Sequence, residues 1–128
     1  MKFNSLIPEL SVTNIENSIK FYTSIGFKIV YERKEDKFCF IQLEDNQIMI
    51  EQINDNWNTG TLEYPFGRGI NISMAIENID EYYQKIIENG IKPFKELTTN
   101  KYQVNDILYE DKEFLIQDTD GYLLRFNN

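Results

Sequence analysis

The stretch SVTNIENSIKFYTSIGFKIVYE (residues 11–32) can be laid over AIENIDEYYQKIIENGIKPFKE (residues 75–96) at a constant offset of 64. Asn14 falls on Asn78, Ile15 on Ile79, Gly26 on Gly90, Lys28 on Lys92 and Glu32 on Glu96. Each identity marks a boundary with a physical role. Asn14 and Asn78 are N-cap candidates, followed by the first-turn acids Glu16 and Asp80, with Glu81 at the capping-box position of the second helix. Gly26 and Gly90 fall where a left-handed residue ends a helix. Between cap and stop, Ile15, Ile19, Tyr22 and Ile25 in one copy and Ile79, Tyr83, Ile86 and Ile87 in the other are spaced for a helix with one apolar face.

Working outward, an extended stretch precedes each helix, LIPELSV in the first copy and INISMAI in the second. Strand-like runs follow: FKIVYER, KFCFIQL and QIMIEQI in the first half, IKPFKEL, EFLIQD and YLLRF in the second. Turn residues punctuate them at Glu44-Asp45-Asn46 and at Asp118-Thr119-Asp120-Gly121. Each half therefore reads β-α-β-β-β, and the fold class is α+β with two tandem modules. Module one covers about residues 1–53, a linker about 54–68, and module two about 69–128, all in a single domain. The stretch NKYQVNDILYED (residues 100–111) is an insertion without a counterpart in the first copy. One such unit leaves a sheet face bare, so the two copies are predicted to pair their sheets around a shared cleft.

Composition narrows the function classes. A chain of 128 residues buries roughly two thirds of the surface it exposes unfolded, enough for a core without staples. Thirteen Lys and Arg against 21 Asp and Glu give a net charge of -8, which repels a phosphate backbone and attracts cations; nucleic acid is not an expected partner. No apolar run reaches the length of a membrane span, and MKFNSLIPELSV lacks the pattern of a signal peptide, so a cytoplasmic location is expected. A single cysteine, Cys39, forbids an internal disulfide and reads as a strand residue between Phe38 and Phe40. The absence of histidine removes the commonest metal ligand and general base.

With NSIKFYTSIGFKIVYE and DTDGYLLRF as its markers, the chain resembles the vicinal oxygen chelate superfamily of glyoxalases, extradiol dioxygenases and bleomycin-resistance proteins. The resemblance covers essentially the whole chain. It implies a glyoxalase/bleomycin-resistance-like fold whose enzymes hold a divalent metal at four inward positions. Counting back seven residues from the caps puts two of these at Ile7 and Asn71. The last falls on Arg125, and the remaining one on Met49 or Glu51, which share a strand face. Such a set opposes a cation, so no metal, no cofactor and no catalytic residue is expected. Arg125, a cation in a largely apolar strand, needs water, a carboxylate such as Glu51, or a ligand.

Within the superfamily the resemblance is greatest to the metal-free bleomycin-resistance proteins, through KFCFIQ, NQIMIEQI and FGRGINISMAIENIDEYYQKIIENGI. This implies a homodimer that is not an enzyme and that sequesters a cationic, partly aromatic antibiotic in a groove between subunits. Phe38 matches one stacking ring of that groove, and Tyr109, in the loop before the last hairpin, matches the other. As residues alone, Phe38 reads rather as core and Tyr109 as surface packing. The ligand-binding set is Phe38, Phe40, Met49, Glu51, Trp57, Phe66, Asn71, Tyr102, Tyr109 and Arg125. The competing expectation is a metal-dependent lyase or dioxygenase with a displaced site built from Glu51 and acids such as Glu9 or Asp118.

Overall fold

A computed structural model describes residues 2–128. In it the chain runs β1 (Glu9–Val12), α1 (Ile15–Ser24), β2 (Lys28–Arg33), a 3-10 turn (Lys34–Asp36), β3 (Phe38–Leu43) and β4 (Asn46–Gln52). It continues through β5 (Asn71–Ala75), α2 (Ile79–Glu88), β6 (Lys95–Val104), β7 (Ile107–Gln117) and β8 (Leu123–Asn127). The strands form two four-stranded sheets, ordered β1-β4-β3-β2 and β5-β8-β7-β6. In each, the first strand pairs in parallel with the last strand of its module and the other pairs are antiparallel. The two βαβββ modules read from the sequence are therefore present.

The chain divides into two compact units. The first runs through Phe66 and also holds Asp118–Gly121; the second is Gly67–Gln117 with Tyr122–Asn128. In the first unit, Leu10, Val12, Cys39, Ile41, Ile48 and Ile50 are buried with Ile15, Tyr22, Ile25 and Phe27. The Tyr22 and Phe27 rings meet edge to face at 5.2 Å. The Asp118–Gly121 turn is tied in by side chains: the Tyr22 hydroxyl donates to Asp118 Oδ2 at 2.6 Å, Thr13 donates its N–H and hydroxyl to Asp120, and the Phe66 N–H donates to the Asp120 carbonyl. In the second unit, Met74, Phe114, Ile116, Leu124 and Phe126 are buried, and Tyr82 and Tyr83 of α2 contact the Phe114 ring.

The helix stops behave as the repeat predicts, with Gly26 at φ 105° and Gly90 at φ 80°, angles that cost a β-carbon dearly. The caps do not match each other. Asn14 is extended and its side chain accepts from the Asn17 N–H, whereas Asn78 is left-handed and makes no side-chain cap. Glu81 pairs with Lys85 one turn on. The larger correction concerns residues 100–111, read as an insertion with Tyr109 in a loop. They continue β6 and β7 as a long hairpin that closes at Asn105 and Asp106, φ 50° and 66°, where two left-handed residues make a tight turn of the right twist. Tyr102, Val104, Ile107 and Tyr109 alternate along one face of this stretch, which is solvent-exposed on both faces. No helix among the described residues is long and apolar enough to cross a membrane.

Candidate functional site

The face of the first sheet turned away from α1 gathers most of the chemistry. Register places Phe38 opposite Glu51, Phe40 opposite Met49, Glu9 opposite Met49 and Ser11 opposite Glu51, so these side chains share one face. A bulge in β2 adds two more. Ile29 pairs with Ile41, but the next partner of Phe40 is Tyr31, leaving Val30 as the extra residue. That single step turns Tyr31 and Arg33 onto the face of Phe40 and Phe38.

The rings are covered by neighbours of their own unit. Tyr31 stacks on Phe40 at 5.4 Å with the planes 18° apart, and Phe3 meets Phe40 edge-on at 5.3 Å. The Arg33 guanidinium carbon stands 3.9 Å from the centre of the Phe38 ring, while its Nε donates to Asp36 at 3.1 Å. Phe38 and Phe40 are in consequence buried, as the core reading of Phe38 allows.

Two carboxylates lie on this same face. Glu51 accepts from Asn54 at 2.7 Å and from the Trp57 indole N–H at 3.3 Å. Glu9 has its pKa raised: loss of water around the carboxyl comes first, then the Glu51 charge, while the Trp57 hydrogen bond and the Arg33 charge oppose the rise. Beside Glu51 a cavity of about 490 Å³ is lined by acidic Glu35 and Asp36 together with Gln52, Asn54 and Asn56. A second cavity, about 570 Å³, reaches Phe38 from the α1 side, between Ile15, Ile19, Lys34 and Lys37. Cys39 faces the core instead; burial, then the Glu32 charge, pushes its thiol up to about 11, which makes it inert.

In the second unit, Asn71, Tyr102, Tyr109 and Arg125 share the sheet face turned away from α2. Tyr102 and Tyr109 are direct cross-strand partners, stacked at 5.5 Å and about half exposed. Arg125 donates from Nε to Glu113 at 2.8 Å, on the neighbouring strand. Its carboxylate partner is thus Glu113, which the sequence reading did not name in place of Glu51. The site residues therefore fall into two groups: Phe38, Phe40, Met49, Glu51 and Trp57 in the first unit, and Asn71, Tyr102, Tyr109 and Arg125 in the second. Phe66 belongs to neither, being buried beside Asp120.

Of the acids named for a displaced metal site, Glu9 lies near Glu51 and Asp118 does not join them, since it is buried and accepts from Tyr22 and from the Asp120 N–H. Among the described residues no three Cys, Asp or Glu side chains converge as metal ligands. Sequence reasoning missed Tyr31 and Arg33. Their alternation in FKIVYER was visible, but the bulge that decides which face they take was not.

The profile of the Glyoxalase/Bleomycin resistance protein/Dioxygenase superfamily matches residues 3–126. The chain belongs to this superfamily. Similar solved structures include TioX from Micromonospora sp. ML1, with a TM-score of 0.77 at 12% identity, covering 98% of each chain. A superfamily protein from Alicyclobacillus acidocaldarius has a TM-score of 0.68 at 18% identity, covering 97% of this chain and 89% of that one. A superfamily member from Vibrio splendidus 12B01 is 30% identical over 93% of each chain, with a TM-score of 0.44. No curated protein matches the chain. The superfamily embraces enzymes and binding proteins alike, and the likenesses at low identity establish its fold alone.

Proposed function

We propose that the protein is a non-catalytic, cytoplasmic binding protein that sequesters a small, cationic, partly aromatic antibiotic of the bleomycin kind, acting as a homodimer. The observation that carries this reading is the face of the first sheet, where Phe38, Phe40 and Tyr31 lie beside Glu9, Glu51 and the Trp57 indole. Aromatic faces take a planar ring by stacking, and adjoining carboxylates favour a positive charge on it. The net charge of -8 adds a long-range pull on cations. Titration with metal-free phleomycin, followed by the fluorescence of Trp57, the sole tryptophan, tests this. Saturable quenching at one or two ligands per dimer is expected, with Glu51→Gln weakening it about five-fold, as loss of one attractive charge does. Flat titrations across bleomycin and phleomycin remove the reading.

A second reading rests on Glu9, whose pKa is raised by burial and then by the Glu51 charge beside it, a setting that suits acid–base or metal-ligating work: a metal-dependent lyase or dioxygenase with a displaced site. Elemental analysis of protein purified without chelators distinguishes the two. Stoichiometric zinc, manganese, nickel or iron supports the enzyme and excludes the binding protein.

A further inference from the structure

Resting on the binding reading above, we propose that Arg33 is a built-in occupant of the ligand's cation position, and that the ligand is a planar aromatic cation whose charged ring replaces its guanidinium over Phe38. The guanidinium is itself a planar, delocalised, weakly hydrated cation, so the surface that holds it at 3.9 Å from the ring centre has the shape and field such a ring needs. The β2 bulge is what aims Arg33 there; in unbroken register Glu32 would oppose Phe38.

Arg33 is also built to leave. Its side chain is 45% exposed; among the described residues its ion pair is with Asp36, 56% exposed, on the adjoining turn, and it also hydrogen-bonds Tyr31. Such exposed pairs hold weakly, so the main cost of moving Arg33 into solvent is uncovering the Phe38 ring, which an incoming ligand ring covers again. When it leaves, Glu51 opposite Phe38 and Glu9 on the same sheet face offer negative charge to an incoming cation, against Lys34 and Lys37 in the cavity that reaches Phe38. Tyr31, stacked on Phe40, bounds the position on one side, its ring 5.9 Å from that of Phe38. The arrangement makes Arg33 a competitor: the fraction of molecules with the ring covered raises the apparent dissociation constant, and keeps Phe38 out of water when no ligand is present.

The test uses thioflavin T, whose flat benzothiazolium ring carries the charge and whose fluorescence rises on immobilisation, and its uncharged N-demethylated analogue 2-(4-dimethylaminophenyl)-6-methylbenzothiazole. Arg33→Gln is expected to tighten thioflavin T binding about five-fold, the scale of an exposed cation–ring contact. Lys28→Gln removes the same charge from an exposed position at the far end of β2 and is expected to change it less than two-fold. The uncharged dye is expected to bind Arg33→Gln more weakly than thioflavin T does. In the free wild type the Arg33 Hδ proton resonances are expected upfield, shifted by the Phe38 ring, and to return to ordinary values when thioflavin T saturates the protein. Equal effects of Arg33→Gln and Lys28→Gln, weaker binding to Arg33→Gln, equal binding of the two dyes, or an Arg33 resonance unmoved by dye overturn the proposal. Those outcomes with phleomycin still bound leave the binding reading standing. Absence of dye binding to both wild type and Arg33→Gln also overturns the proposal, and flat phleomycin titrations in addition remove the binding reading.

Discussion

Tyr22 and Asp118 stand 96 residues apart in sequence and 2.6 Å apart in space, both buried. A hydroxyl aimed at a buried carboxylate is a bond whose loss leaves a desolvated charge short of a donor. Tyr22→Phe is therefore expected to cost about 1.5–3 kcal/mol in urea unfolding, with the fold intact; an unchanged midpoint contradicts the assignment. Glu9 supplies a pH test at the same scale. Its raised pKa means that the folded state holds the Glu9 proton more tightly than the unfolded chain does. Its contribution to stability is present below the unfolded pKa and is lost as pH rises through the folded one. Cation binding runs the other way: it weakens as pH falls, from above the usual carboxylate range, because the attracting charge disappears. Thioflavin T titrations over this range are expected to show that step in wild type and to lack it in Glu9→Gln. The Tyr22–Asp118 contact was not legible in the sequence, whereas Glu9 was named there as a possible partner of Glu51. The turn residues of DTDG were readable as a turn, but a turn's spatial neighbours, like the partner of Arg125, depend on tertiary placement that spacing does not encode.

At the scale of elements, the aligned Asn14 and Asn78 show how far a repeat can be trusted. Both mark the start of a helix, as the sequence implies, yet of the two only Asn14 caps it, its Oδ1 accepting from the Asn17 N–H. Asn14→Ala is expected to lower stability by about 1 kcal/mol in thermal or urea unfolding. Asn78→Gly is expected to be neutral or stabilising, because a left-handed residue without a cap bond gains from losing its β-carbon. Equal losses at the two sites would contradict the distinction. The strands and helices were readable because apolar periodicity and glycine stops are local signals. The β2 bulge and the reach of the β6–β7 hairpin were not. A bulge shows only as a register shift against a partner strand, and Asn105-Asp106 lacks the glycine that commonly announces such a turn. The bulge matters most, since it brings Tyr31 and Arg33 to the rings that the sequence reading left bare.

At the scale of the whole molecule, the duplicated βαβββ order and the superfamily membership follow from the sequence pattern, while the activity does not, because one scaffold carries both catalysts and binders. The distinction lies in side chains: Ile7, Asn71, Arg125 and either Met49 or Glu51 stand at the positions where metal-dependent relatives are expected to hold their ligands. In the proposed function the acidic aromatic face of the first sheet binds its guest without a metal ion. Calorimetric titration of chelator-treated protein with metal-free phleomycin tests this. Saturable binding that is unchanged when zinc, manganese or iron is restored is the predicted result. Binding or turnover that arises only once a metal is restored would contradict it.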